Sequence, residues 1–122
     1  MKFFKNLRRR AAIIFVTLWA KLAYEEGVRA AENRRRKSDG EMIYLAKNSF
    51  RPDHLVTYDK EQFKIEKRVY GVAARLLTMN TLKTHCYYHT ADRFGNNALS
   101  SHERETRKKA FIKERLHLAK LL

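Results

Sequence analysis

The chain has one cysteine, one proline, four glycines and only 13 carboxylates among its 122 residues. Each shortage closes off a class of chemistry. With Cys86 alone, no intramolecular disulfide can form, and zinc sites of four cysteines, or of two cysteines and two histidines, are excluded by count. Gly27, Gly40, Gly71 and Gly95 stand far apart, so no glycine-rich loop is available to cradle a phosphate. Pro52, the only proline, lies outside residues 7–37, a stretch interrupted only by Gly27. Long apolar runs are also lacking. The run Ala11–Ala20 stops at Lys21 after ten residues, half of the ~20 that a spanning helix requires.

What is abundant is positive charge. Twenty-seven Lys and Arg give a net charge of +14 and a pI near 10.2. The excess is uneven. Residues 1–37 hold 11 basic side chains against three Glu, residues 39–70 are balanced, and residues 101–122 hold seven against three. Such basic ends attract polyanions by counterion release, although cations on solvated helix faces also serve solubility alone. Hydrophobic residues at 44% and fourteen aromatics predict a folded domain over 1–122 rather than a disordered tail.

The opening Met1–Arg10 resembles the basic start of a signal peptide and Ala11–Ala20 its apolar core. The cleavage end is poor, because Lys21 stands where a small residue is needed and Glu25-Glu26 follow. Three roles are open to this segment: a helix packed in the core or on a protein partner, a helix lying in a membrane interface with Trp19 at headgroup level, and a signal or short anchor. Ile14, Phe15, Leu18 and Trp19 are the expected partner- or membrane-contact residues. Around Ile13–Ala20 the helix is apolar nearly all round, which predicts burial from more than one side.

The remaining order predicts an α+β fold: a long N-terminal helix, a small antiparallel sheet with a hairpin, and a long C-terminal helix. Ser38-Asp39-Gly40 ends the first basic helix, which occupies 1–37. Residues 41–46 and 54–58 read as strands joined by a loop of about seven residues, within a small mixed sheet region over 41–99. Asp59-Lys60-Glu61-Gln62 has capping-box spacing and favours a short helix over 60–68 that turns Phe63, Ile65 and Val69 inward, with an extended continuation through Phe63-Lys64-Ile65-Glu66 as the rival. Val72–Leu77 suits strand or helix. Residues 82–90, rich in Thr and Tyr, read as strand. Asp92–Asn97 is a turn. Ser100 and Glu103 form a second capping box ahead of the basic C-terminal helix over 101–121, with Phe111, Leu118 and Leu122 on one stripe and Ile112, Leu116 and Ala119 beside it.

The basic helix end from Ala30, Gly40-Glu41-Met42-Ile43-Tyr44-Leu45, a loop, and Leu55-Val56-Thr57-Tyr58-Asp59-Lys60-Glu61-Gln62-Phe63 together resemble small basic uncharacterised proteins of Bacteroides-type bacteria and their phages. The similarity covers about residues 30–63. It implies a mobile-element or virion setting and carries no activity or functional residue.

Catalytic constellations are thin. His85, Cys86 and His89 tempt as metal ligands, but on a strand Cys86 faces away from the two histidines; two surface histidines and a buried thiol is the plainer account, and no metal or cofactor is expected. A Cys86/His nucleophile lacks a third group to hold the base. Carboxylates such as Glu103 and Glu105 sit at helical spacing from Arg107 and Lys109 and read as helix stabilisers. The chain is therefore read as a non-enzymatic accessory protein. Arg8, Arg9, Arg10, Arg34, Arg35, Arg36 and Lys37 supply one basic edge, and Arg104, Arg107, Lys108 and Lys109 another, for phosphate-backbone contact with nucleic acid or a nucleoprotein assembly. Tyr87-Tyr88-His89, Arg93-Phe94 and Asn48–Arg51 offer stacking on unpaired bases, against ordinary sheet packing. The alternatives are a peripheral membrane or protein-interaction module, with a protein partner or second copy, and a structural virion subunit. The expected location is cytoplasmic or virion-associated, or peripheral on a membrane.

Overall fold

The computed structural model describes residues 2–47, 54–69 and 83–122, with backbone alone at 66–69. Its elements run α1 (Lys2–Lys37), β1 (Tyr44–Lys47), β2 (Leu55–Tyr58), α2 (Lys60–Val69), β3 (Tyr88–His89) and α3 (Ser101–Leu118). The α+β class is as the sequence predicts.

Local chemistry sets most of the boundaries. At the end of α1, Asp39 takes a positive φ of 59° and Gly40 one of 82°. The Gly40 amide then returns to the Arg35 carbonyl at 2.9 Å, satisfying a helix-end acceptor. At α2 the capping box forms as expected: Gln62 N donates to Asp59 Oδ1 at 2.7 Å, and Asp59 N approaches Gln62 Oε1 at 3.5 Å. At α3, Glu103 N donates to Ser100 Oγ at 3.1 Å. In the turn before it, Asp92 Oδ1 accepts from the amides of Phe94 and Asn96 at 2.9 and 2.8 Å.

The sheet is antiparallel in the order β2-β1-β3. Tyr44 pairs with Tyr58 and Lys47 with Leu55, which leaves the predicted seven residues between the hairpin strands. β1 begins at Tyr44, three residues later than the pattern suggested. The strand expected over 82–90 is corrected more sharply. Residues 83–85 are helical and only Tyr88 and His89 pair, against Leu45 and Tyr44. Val72–Leu77, Val69 and the loop residues Asn48–Arg51 lie outside the described side chains, so those readings stand untouched.

The core forms where α1, α3 and β1 meet. Ala20, Tyr24 and Val28 project from α1 at a spacing of four, onto Leu45 and Phe111. Tyr24 and Phe111 rings lie 5.9 Å apart, and Tyr87 meets Phe111 edge-on at 5.0 Å. Gly27 permits the closest approach: a Cβ there would stand 2.8 Å from Leu45 Cδ2. Leu45 is almost wholly buried, so it has little room to yield. α3 runs antiparallel to α1, with Arg104 and Lys108 beside Glu25, Arg115 over Trp19, and Leu121 near Arg9.

Three expected core positions are corrected. Ile65 on α2 is exposed while Phe63 is buried, and Leu118 at the end of α3 and Leu122 beyond it are exposed while Phe111 and Leu116 are buried.

Candidate functional site

The two basic edges divide into side chains used within the fold and side chains left at the surface. Arg34 belongs to the first group. Its Nη1 donates to Thr57 O at 2.6 Å and to Thr57 Oγ1 at 3.1 Å. Its Nη2 reaches Asp59 Oδ2 at 3.2 Å and also donates to Gln62 Oε1. One guanidinium thus joins the end of α1 to β2 and to the α2 cap, a use of its planar fork. Arg35 donates to the carbonyls of Ala91 and Asp92 at 3.1 and 2.8 Å, fixing the turn before α3.

The α3 cations are similarly occupied. Glu25 accepts from Arg104 at 2.5 Å and from Lys108 at 2.7 Å. The Lys108 hydrogen bond, with the positive charge of Arg104, holds the Glu25 carboxyl below its usual range against the opposing effect of burial. Arg107 pairs with Glu103 at 3.1 Å and donates to Cys86 O at 2.8 Å and Lys83 O at 3.2 Å. Tyr87 and Tyr88 hydroxyls donate to Glu114 and Glu32 at 2.8 and 2.6 Å, so these two side chains are tied into the fold, whereas Phe94, another expected stacking residue, is exposed.

Arg8, Arg9, Arg10, Arg36, Lys37 and Lys109 remain exposed. They do not gather on one edge. At ~1.5 Å rise per residue, Arg8 and Arg36 are about 40 Å apart along α1. Arg9 Nη2 also donates to Leu121 O at 3.2 Å.

The larger surprise lies between those clusters. The predicted burial of Ile13–Ala20 from several sides does not occur. Phe3, Phe4, Leu7, Ile14, Phe15, Leu18, Trp19 and Leu22 are each between 45 and 72% exposed. At 3.6 residues per turn, Leu7, Ile14, Leu18 and Leu22 centre about a third of a turn from Ala20, Tyr24 and Val28. The N-terminal half of α1 thus carries two apolar stripes, one packed and one bare. Arg8 flanks the bare stripe on one side; Arg10 and Lys21 flank it on the other. Beyond Leu22 the same face turns polar with Glu26, Arg29, Asn33 and Arg36. Exposed apolar side chains in such number on one helix half, rimmed by cations, are the kind of surface that marks an interaction site.

The sequence held a signal for this face: Leu7, Ile14, Leu18 and Leu22 share a stripe at helical spacing. The position of α3 decided which stripe it would cover.

Among the described residues no group of three His, Cys, Asp or Glu side chains is placed to hold a metal ion. His85 is exposed, whereas Cys86 and His89 are buried. Burial pushes the Cys86 thiol up, away from thiolate character, and holds the His89 imidazole below its usual value. An open groove of about 320 Å³ between α1 and α3 is lined by Glu25, Arg29, Glu32, Arg36 and Arg104; Glu25 and Arg104 pair there, Glu32 accepts from Tyr88, and Arg29 and Arg36 are exposed.

No family model, curated protein or solved structure matches the chain. Among the described residues no helix is long and apolar enough to cross a membrane.

Proposed function

We propose that the protein is a small non-enzymatic accessory module that binds a polyanionic partner through the N-terminal half of α1. The observation that carries this reading is one of composition and place together. Residues 2–24 hold six cations, Lys2, Lys5, Arg8, Arg9, Arg10 and Lys21, and no carboxylate. All six are exposed, and three of them, Arg8 on one side and Arg10 and Lys21 on the other, flank an apolar stripe that the rest of the fold leaves exposed. Charge neutralisation supplies long-range attraction and the apolar side chains supply close contact. A nucleic acid, a nucleoprotein assembly and an anionic membrane all satisfy the electrostatic half of this account.

Within it, Arg8, Arg9 and Arg10 are the principal phosphate contacts. Arg36, Lys37 and Lys109 add charge from a distance. Arg34, Arg35, Arg104, Arg107 and Lys108 act inside the protein and contribute only to the overall field.

The test is a salt series with the full chain and three probes: duplex DNA, single-stranded RNA and vesicles containing anionic phospholipid. Binding to at least one should fall steeply between about 50 and 200 mM salt. A variant with Arg8, Arg9 and Arg10 each changed to Glu should lose it, while Lys109→Glu should retain most of it. Failure to bind all three probes at low salt would remove the reading.

A further inference from the structure

Given the polyanion-docking reading, on which this step rests, we infer that the partner is the surface of a bilayer containing anionic phospholipid, with the N-terminal half of α1 lying in the interface plane. Geometry, charge and length each favour it.

The bare stripe runs from Phe3 to Leu22, about 28 Å of helix at ~1.5 Å per residue. α3 and the sheet pack on the face of α1 that carries Ala20, Tyr24 and Val28, about a third of a turn away, and leave Leu7, Ile14, Phe15, Leu18 and Leu22 between 54 and 72% exposed, open to a flat partner. Arg8 on one flank and Arg10 and Lys21 on the other can extend sideways, burying their methylene stems while their charges stay among lipid phosphates. Trp19 lies at the edge of the stripe and is half exposed, the setting in which an indole favours the headgroup boundary. The stripe ends where Glu26 begins the polar continuation of the same face, so the helix engages over its first half only. Such a helix is an interfacial one, its apolar face entering ~5–10 Å below the headgroups.

Nucleic acid suits the cations but not the stripe. A phosphate backbone offers no apolar surface to cover Leu7, Ile14, Phe15, Leu18 and Leu22. A second copy suits the stripe but not the cations. Each copy would bring Arg8, Arg10 and Lys21, and no carboxylate from residues 2–24, to the shared face. A bilayer with anionic headgroups meets both demands at once.

The experiment is flotation of the full chain with phosphatidylglycerol–phosphatidylcholine vesicles and with pure phosphatidylcholine vesicles. Gel-shift with duplex DNA and single-stranded RNA, and sedimentation without lipid, run in parallel. The chain should float with the anionic vesicles and much less with the neutral ones. Ile14→Glu with Leu18→Glu should abolish flotation, and Arg8→Gln with Arg10→Gln should weaken it by about tenfold or more. These side chains are exposed, so a thermal melt should match that of the parent; Leu7→Glu with Leu22→Glu repeats the test if it does not. Nucleic-acid binding without flotation overturns the bilayer inference and leaves the polyanion reading standing. Self-association abolished by Ile14→Glu, without flotation, also overturns the inference, in favour of a second copy. No binding to any probe overturns both.

Discussion

Arg34 and Arg36 differ by two positions and by their whole physical role. Arg34 spans Thr57, Asp59 and Gln62, whereas Arg36 is exposed. Arg34→Ala leaves the Thr57 carbonyl and the Asp59 carboxylate without a shared donor, and should cost about 2 kcal/mol in urea denaturation. Arg34→Lys should recover little, since an ammonium lacks the fork, and Arg36→Ala should stay within ~0.5 kcal/mol of the parent. Acid sensitivity follows from two other residues. His89 is held neutral by burial, so as pH falls below about 6.5 the unfolded chain takes up a proton that the folded chain refuses. Stability should therefore decline first in that window. Glu25, held ionised by Lys108 and Arg104, keeps its contribution above about 4.5 and loses it as pH falls further towards its depressed folded value. Melts from pH 8 to 2 should show both steps, with His89→Asn flattening the first and Glu25→Gln reducing the second.

α1 is one continuous helix with two different halves. Its second half is a core element, and Gly27 marks where β1 comes closest. Gly27→Val gains a little helix propensity and loses more to overpacking against Leu45, so stability should drop by about 2 kcal/mol. Phe111→Ala, on the facing helix, should cost about 3–5 kcal/mol. Phe15→Gln, on the bare half, should be neutral within ~0.5 kcal/mol; a core-like loss there would mean that the stripe is covered after all. Much of this layout was legible. Asp59 with Gln62, Ser100 with Glu103 and the Ser38–Gly40 stop are local signals whose partners lie within a few residues, and each placed its helix boundary. The strand over 82–90 failed because Thr and Tyr propensity promises a strand wherever a partner exists, and β1 offers partners only at Tyr44 and Leu45. The buried face of α1 was illegible for a different reason. Around Ile13–Ala20 apolar residues surround the axis, so periodicity gives no direction and only the seat of α3 chooses the packed side.

Taken as a molecule, the protein separates its positive charge by use. Cations near the α1–α3–sheet junction satisfy carbonyls and the carboxylates of Glu25, Glu103 and Asp59. Cations on residues 2–21 meet solvent. Clustering along the sequence could not distinguish these, since Arg34-Arg35-Arg36-Lys37 looks as free as Arg8-Arg9-Arg10 until β2 and the turn at Asp92 are folded against it. The surface that results joins charge to bare apolar side chains on one helix half, and Trp19, the single tryptophan of the chain, stands at its edge. Its fluorescence reports on that surface without any label. On titrating the full chain with anionic vesicles at low salt, Trp19 emission should shift to the blue and lose its accessibility to acrylamide, and both changes should reverse on raising the salt. Emission and quenching that stay unchanged across vesicles of either composition, while the protein remains folded, would contradict the account.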